Sequence, residues 1–363
     1  MTARRPLLLL AALAATLGLA ACGEKSESTA ATEKPPAAAL SLLLDYTPNA
    51  DHAGIYQAQA AGDFAKAGLQ VDVRTPDDPA NVLKLVASGR VDLGISYEPE
   101  VLLARAEGQD VTAIASIVTR PLTSVISLPK AKIATAADLK GKTVGTAGIP
   151  YQSAYLQTIV KKAGLQPGDV KQVDVGFNLQ NALLSGRVDA TLGGFWNVEG
   201  VELQQRRKDP KVVPVNELGV PKYDELVLVA RGATLKSKES AIRRFVRALG
   251  QGYEAVRKDP EAGADALLRA NPGLDEKLQR AAVEKTAEAF FPADSDRPWG
   301  WLQTDEWADY AQWMLENGLL KKQIPLDTTV TTDFLPGEGA GEGRKTPGDA
   351  GRPSEQLPGY RGE

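Results

Sequence analysis

Short apolar runs, each ending in a polar turn and followed by apolar positions at helical spacing, recur along this chain. Leu40 to Leu44 is the first, a buried strand by its pattern, and it stops at Asp45-Tyr46-Thr47-Pro48-Asn49-Ala50-Asp51-His52. Pro48 breaks any regular element, and Asn49 or Asp51 can cap the helix predicted over His52 to Ala67 and closed by Gly68. Val71 to Arg74 alternates as a strand. A helix starts at Asp78-Pro79 and stops at Ser88-Gly89, and Val91 to Ile95 is the next strand. This βαβαβ order predicts a parallel sheet with helices on its faces. In such sheets, small ligands bind in the crevice at the carboxyl ends of the strands.

The pattern then repeats. Strands are predicted at Lys142 to Thr146, Val170 to Val175 and Val188 to Leu192, with helices at Ser153 to Ala163 and Asn178 to Leu184. One echo ties the halves together: ASGRVDLG at Ala87 to Gly94 recurs as LSGRVDATLG at Leu184 to Gly193. Each copy reads as a helix end, a glycine cap, a short turn and a buried strand. Polar-aromatic segments follow both copies, Ser96-Tyr97-Glu98-Pro99-Glu100 and Phe195-Trp196-Asn197-Val198-Glu199. The architecture predicted is α/β, with two lobes joined by two crossovers around a cleft. Ile114 to Ser127 and Val213 to Val229 are the crossovers, and Tyr223-Asp224-Glu225 marks the return. The first lobe is expected over 40–125 plus 226–335 and the second over 126–225. Amphipathic helices at Ser237 to Arg257, Glu261 to Ala270, Asp275 to Phe290 and Asp305 to Asn317 are expected on the outside of the first lobe.

Composition narrows the chemistry. The 363 residues suffice for two lobes with a sizeable core, and the net charge of −4, without a basic block, argues against a nucleic-acid partner. A single histidine excludes a multi-His metal site. Arg4 and Arg5 precede an apolar stretch, Leu7 to Leu19, too short for a membrane span, and Leu19-Ala20-Ala21-Cys22 matches the bacterial lipobox. The expectation is a signal peptide over 1–22 and lipidation of Cys22, the only cysteine, which also leaves no thiol for a disulfide or an iron–sulfur site. Residues 23–39 read as a flexible tether, and 336–363, rich in Gly, Pro, Glu and Arg, as a disordered tail.

The segments LLDYTPNADHAGIY, ASGRVDLGISYEPEVLLARA, VGTAGIPYQSAYL, GGFWNVEGVEL and YDELVLVA resemble the substrate-binding proteins of bacterial ABC importers. Within them the chain is similar to the branch that includes formylaminopyrimidine-binding proteins and shares its fold with fungal thiamine-pyrimidine synthases. The resemblance covers about Leu40 to Leu320. It implies the type II periplasmic-binding-protein fold, a small-molecule ligand, hinge closure, a permease and an ATPase on separate chains, an extracytoplasmic location, and no enzyme activity or cofactor. A monomer is the expected state. Relatives bind riboflavin, alkanesulfonates, taurine or nitrate. The chain departs from the synthases where they carry a cofactor lysine and a substrate histidine: Ser96 and Glu100 stand there. The synthases' cysteine cluster is missing, and of their glycine loop only Gly148 is kept in Gly148-Ile149-Pro150-Tyr151.

The residues themselves favour a flat heterocycle bearing amino donors. Asp45, Glu98, Glu199, Asp224 and Glu225 fall in cleft-facing segments beside Tyr46, Tyr97, Tyr151, Phe195 and Trp196. An ionised carboxylate only accepts hydrogen bonds, so it pairs badly with a sulfonate or nitrate. Arg120 is the main cation near the first crossover. Ligand-binding candidates are Asp45, Tyr46, Asn49, His52, Ser96, Tyr97, Glu98, Gly148, Tyr151, Trp196, Asn197, Glu199, Tyr223, Asp224 and Glu225. Several have a plainer alternative. Tyr46 either stacks on a ring or covers the strand end. Asn49 and Glu199 either touch ligand or cap helices. His52 either contacts ligand or hydrogen-bonds its own turn. Trp196 and Asn197 either contact ligand or pack the hinge, and Gly148 can be a turn glycine. Trp299, Trp301, Trp307 and Trp313 are expected in helix packing.

Overall fold

The strands form two five-stranded sheets in a computed structural model that describes residues 35–293 and 296–337. The first sheet holds β1 (Ala38–Leu43), β2 (Leu69–Arg74), β3 (Leu93–Ser96) and β4 (Thr112–Val118). The second holds β5 (Thr123–Ser127), β6 (Thr143–Thr146), β7 (Lys171–Asp174), β8 (Ala190–Phe195) and β9 (Lys211–Pro214). The chain then returns as β10 (Leu226–Ala230) to the first sheet. The orders are β2-β1-β3-β10-β4 and β7-β6-β8-β5-β9. Each sheet has a parallel trio and an antiparallel pair on one side.

The sequence echo has a physical basis. In both copies a helix ends at a glycine with positive φ, Gly89 (72°) or Gly186 (74°). The next amide, of Arg90 or Arg187, donates back to Leu85 or Ala182. This closure satisfies helix-end carbonyls that otherwise lack partners. The aspartate that follows reaches sideways. Asp92 accepts from the Ser41 amide at 3.0 Å in the first lobe, and Asp189 from the Thr143 amide at 2.8 Å in the second. Each thereby ties the entry to the third strand of its parallel trio to the trio's central strand.

Four features differ from expectation. The segments predicted as long crossovers contain β4, β5, β9 and β10, so the links between sheets shrink to 119–122 and 215–225. All residues of β4, β5 and β10 are buried, so these strands show no alternation of apolar and polar positions. The second sheet begins at Thr123, ahead of the expected boundary at 126. Likewise β1 begins at Ala38, inside the expected tether. The helix predicted over 52–67 is broken at Gly62, which takes φ 74° between Ala53–Ala60 and Asp63–Lys66. The signal peptide, Cys22, most of the tether and residues 338–363 of the predicted tail lie outside the described residues.

Helices Glu239–Lys258 and Pro260–Ala270 pack on the first lobe, where Phe245 stacks on Phe64 at 5.2 Å. The last long helix, Thr304–Glu316, reaches further than expected. Its Tyr310 hydroxyl meets that of Tyr155 of the second lobe at 2.5 Å, and Trp313 packs on the same ring at 5.6 Å. Aromatic packing thus joins the lobes near the second link. Among the described residues no helix is long and apolar enough to cross a membrane.

Candidate functional site

The turn after β1 and the residue after β3 bring three polar side chains, Asp45, His52 and Tyr97, into one bonded group. Asp45 is buried, and its two carboxylate oxygens are taken by His52 Nε2 at 2.8 Å and the Tyr97 hydroxyl at 2.6 Å. His52 Nδ1 accepts the Asn49 amide at 3.2 Å, which makes Nε2 the protonated nitrogen that donates to Asp45. Asn49 caps the short helix, accepting from the Asp51 amide at 2.8 Å. His52 and Asn49 therefore serve the turn, and Asp45 and Tyr97 form the wall it presents.

The end of β3 supplies the rest of that wall. The Ser96 hydroxyl donates to Glu100 at 3.1 Å. Burial pushes the Glu100 carboxyl up to about 7, helped by the charges of Asp45 and Glu225 and opposed by the Ser96 bond. Burial and the neighbouring Asp45 and Glu100 hold the Tyr97 phenol well above its ordinary range, so it remains a donor. The Tyr151 phenol is likewise held protonated by burial and by Glu100 and Glu225. Asp45, Tyr97, Ser96, Glu100 and Tyr151 are thus a cluster of acids and phenols contributed by both lobes.

Other predicted residues turn toward the links between the sheets. Glu98 is fully buried and accepts the Asp224 amide at 2.7 Å; burial and the Asp224 charge raise its carboxyl well above the ordinary range. Asp224 accepts from the Ser116 hydroxyl at 2.7 Å and the Trp307 indole at 2.8 Å, and burial pushes it up to about 6. Glu225 takes the Leu122 and Thr123 amides at 2.7 and 2.8 Å and the Tyr223 hydroxyl at 3.1 Å. Trp196 donates its indole N–H to the Pro121 carbonyl at 3.0 Å. Glu199 accepts the Phe195 amide at 2.7 Å, as a helix-start carboxylate does. Glu98, Trp196, Tyr223, Asp224 and Glu225 thus turn polar atoms to the links between the sheets, because free amides and carbonyls cluster where strands end, while Glu199 closes the turn after β8 within the second lobe. Arg120 is spent similarly, donating to the Glu288 carbonyl at 2.8 Å.

Asn197 spans the lobes. Its Nδ2 donates to Asp51 Oδ1 at 2.7 Å and to Thr286 Oγ1 at 2.8 Å. Burial, opposed chiefly by His52, raises the Asp51 carboxyl to about 7. Asp51 Oδ2 and Asn197 Oδ1 are both buried without a hydrogen-bond partner among the described residues. A proton on Asp51 supplies a donor that the ionised form lacks.

Gly148 has φ 79°, and a Cβ there would lie 2.5 Å from the Asp174 carboxylate, so the turn after β6 and the end of β7 are in close contact. At the rim, Tyr46 of the first lobe faces Phe177 of the second, their ring centroids 6.2 Å apart. Glu100, Asp51 and Phe177 are the residues that the sequence reading left out of the site. Glu100 was legible as one helical turn beyond Ser96; Phe177 sits in a short loop after β7 whose sequence carries no motif that marks it. Among the described residues no three His, Cys, Asp or Glu side chains group to hold a metal.

Residues 49–263 of the chain match the NMT1/THI5-like protein family. The chain belongs to this family. A formylaminopyrimidine-binding protein from Halalkalibacterium halodurans is 33% identical over 319 residues, spanning 86% of this chain and 94% of that protein. A 4-amino-5-hydroxymethyl-2-methylpyrimidine phosphate synthase from Uromyces fabae is 28% identical, over 68% and 75% of the two chains. The alkanesulfonate-binding protein SsuA from Xanthomonas axonopodis pv. citri superposes with a TM-score of 0.63 at 18% identity, over 82% and 99%. Its likeness is one of fold, and the two-sheet architecture of this NMT1/THI5-like chain is the periplasmic-binding-protein fold.

Proposed function

We propose that the chain is the solute-binding lipoprotein of an ABC importer, held outside the cytoplasm by acyl chains on Cys22. It encloses a thiamine pyrimidine precursor, of the formylaminopyrimidine or hydroxymethylpyrimidine type, and delivers it to a permease and an ATPase on separate chains. It acts as a monomer, by binding and hinge closure, with no catalytic step and no cofactor. The observation that carries the ligand class is the wall of Asp45, Tyr97, Ser96 and Glu100 facing Tyr151. An aminopyrimidine offers N–H donors to the carboxylates and a ring nitrogen to the Tyr151 phenol, each charge-assisted bond contributing about 1.5–3 kcal/mol. Tyr46 adds an aromatic face at the rim. The relative from Halalkalibacterium halodurans, matched over nearly its whole length, supports the same class.

A sulfonate, taurine or nitrate would set its negative charge against Asp45 and Glu100, and so fits this wall poorly. Riboflavin is the second reading, since its ring system also offers donors and a flat face. Against the synthase reading stand Ser96 and Glu100, placed where the synthases have their lysine and histidine. Isothermal titration of the full-length protein with formylaminopyrimidine, hydroxymethylpyrimidine, thiamine, riboflavin and taurine tests the assignment. Micromolar or tighter binding of a pyrimidine and none of taurine is expected. Binding of taurine alone would reverse the ligand class.

A further inference from the structure

Phe177 and Tyr46 are the exposed large hydrophobic side chains among the described residues, 67% and 42% accessible. Single exposed aromatics need no explanation. These two come from different lobes, one after β7 and the other after β1, and their rings meet with an interplanar angle of 29°. The loop after β7 is shaped to hold its ring outward. Val175 and Leu179 are buried on either side of it. Just before them, at the end of β7, Asp174 Oδ1 takes the Gly176 amide at 2.8 Å, and Gly176 has φ 58°, a conformation that glycine adopts freely. Asp174 in turn lies against Gly148, so the loop is braced by the turn that begins the facing helix. On the other side, Tyr46 directly follows Asp45, which His52 and Tyr97 hold in place.

The spacing decides what the pair can do. A third ring stacked between two others needs about 7 Å, two contacts of about 3.5 Å. The centroids are 6.2 Å apart, too close to admit one. We infer that Phe177 is a ligand-retaining residue: with Tyr46 it forms an aromatic gate that spans the two lobes and closes behind a planar solute held against Asp45, Tyr97 and Glu100. The inference rests on the ring-bearing solute proposed above. The contact exists only while the lobes are together, so the gate acts on release. Paired aromatic rings of this kind change an equilibrium by about two- to tenfold.

Stopped-flow release of formylaminopyrimidine from the full-length protein tests this, comparing the parent with Phe177→Ala, Tyr46→Ala, the double variant and Phe177→Trp. Phe177→Ala is expected to speed release about two- to tenfold, Phe177→Trp to keep it slow, and the Phe177→Ala effect to vanish when Tyr46 is already alanine. Release from Phe177→Ala at the parent's rate, or the same acceleration in the Tyr46→Ala background, overturns the gate while leaving the solute assignment intact. A parent protein that binds neither formylaminopyrimidine nor hydroxymethylpyrimidine overturns both.

Discussion

At the scale of single residues, Asp51 and Asn197 are joined by one hydrogen bond and each keeps a buried acceptor without a partner among the described residues. Asp51 is raised from 3.8 to about 7, so the folded protein keeps a proton there across a pH range in which the unfolded chain has lost it. Its contribution to stability is complete below about pH 4 and is lost as pH rises through about 7. Asp51→Asn supplies the missing N–H at every pH. The melting temperature of this variant should therefore gain on the parent's as the buffer moves from about pH 5 to about pH 8; a difference that stays flat with pH would contradict the assignment. Tyr97 offers a second test. Tyr97→Phe removes the donor to Asp45 Oδ2 and leaves a buried oxygen unpaired, so urea unfolding should show a loss of about 1–3 kcal/mol. An unchanged midpoint would mean that water or His52 satisfies that oxygen instead.

Among the elements, turns carry the comparison that best separates strain from crowding. Gly141 and Gly148 have similar φ, 75° and 79°, but a Cβ at Gly141 meets nothing within 4 Å while one at Gly148 strikes Asp174. Gly141→Ala should cost only the left-handed backbone, about 1–2 kcal/mol. Gly148→Ala should cost more, and should also weaken ligand binding because Asp174 braces the Phe177 loop; titration and urea melts of both variants check this. The elements themselves were mostly legible. Helix ends such as Gly89 and Gly186 announce themselves, and β1, β3 and β8 are largely apolar runs with turn signals at their ends. Buried strands without alternation, such as β4 and β10, look like any apolar connection until their partners are known. The site was harder for a related reason. A carboxylate at a strand end looks the same whether it faces a ligand, as Asp45 does in our reading, or folds back on the hinge, as Glu225 does on Thr123. The partners that decide are about a hundred residues away in sequence, and a single chain does not reveal them.

For the whole molecule, the bridges between the lobes include the Asn197 amide, the Tyr155–Tyr310 hydroxyls, and the acid-and-amide clasp of Glu225 on the first link. The links themselves are four and eleven residues long, at 119–122 and 215–225, short enough for each lobe to move as a body. The order of strands also gives the molecule a history. The second sheet is made from one continuous stretch, β5 through β9, whereas β3 and β4 are separated by the place that β10 fills. The lobe that comes first in the sequence is therefore the one completed last. Contacts close in sequence form before distant ones, so after dilution from denaturant, amides of β6 and β8 should gain hydrogen-exchange protection before those of β3 and β4, and simultaneous protection would refute this order. A chain emerging from a ribosome carries an unfinished sheet beside Asp45 until residue 230 is free, and on the function proposed above it offers a solute no complete cleft before then.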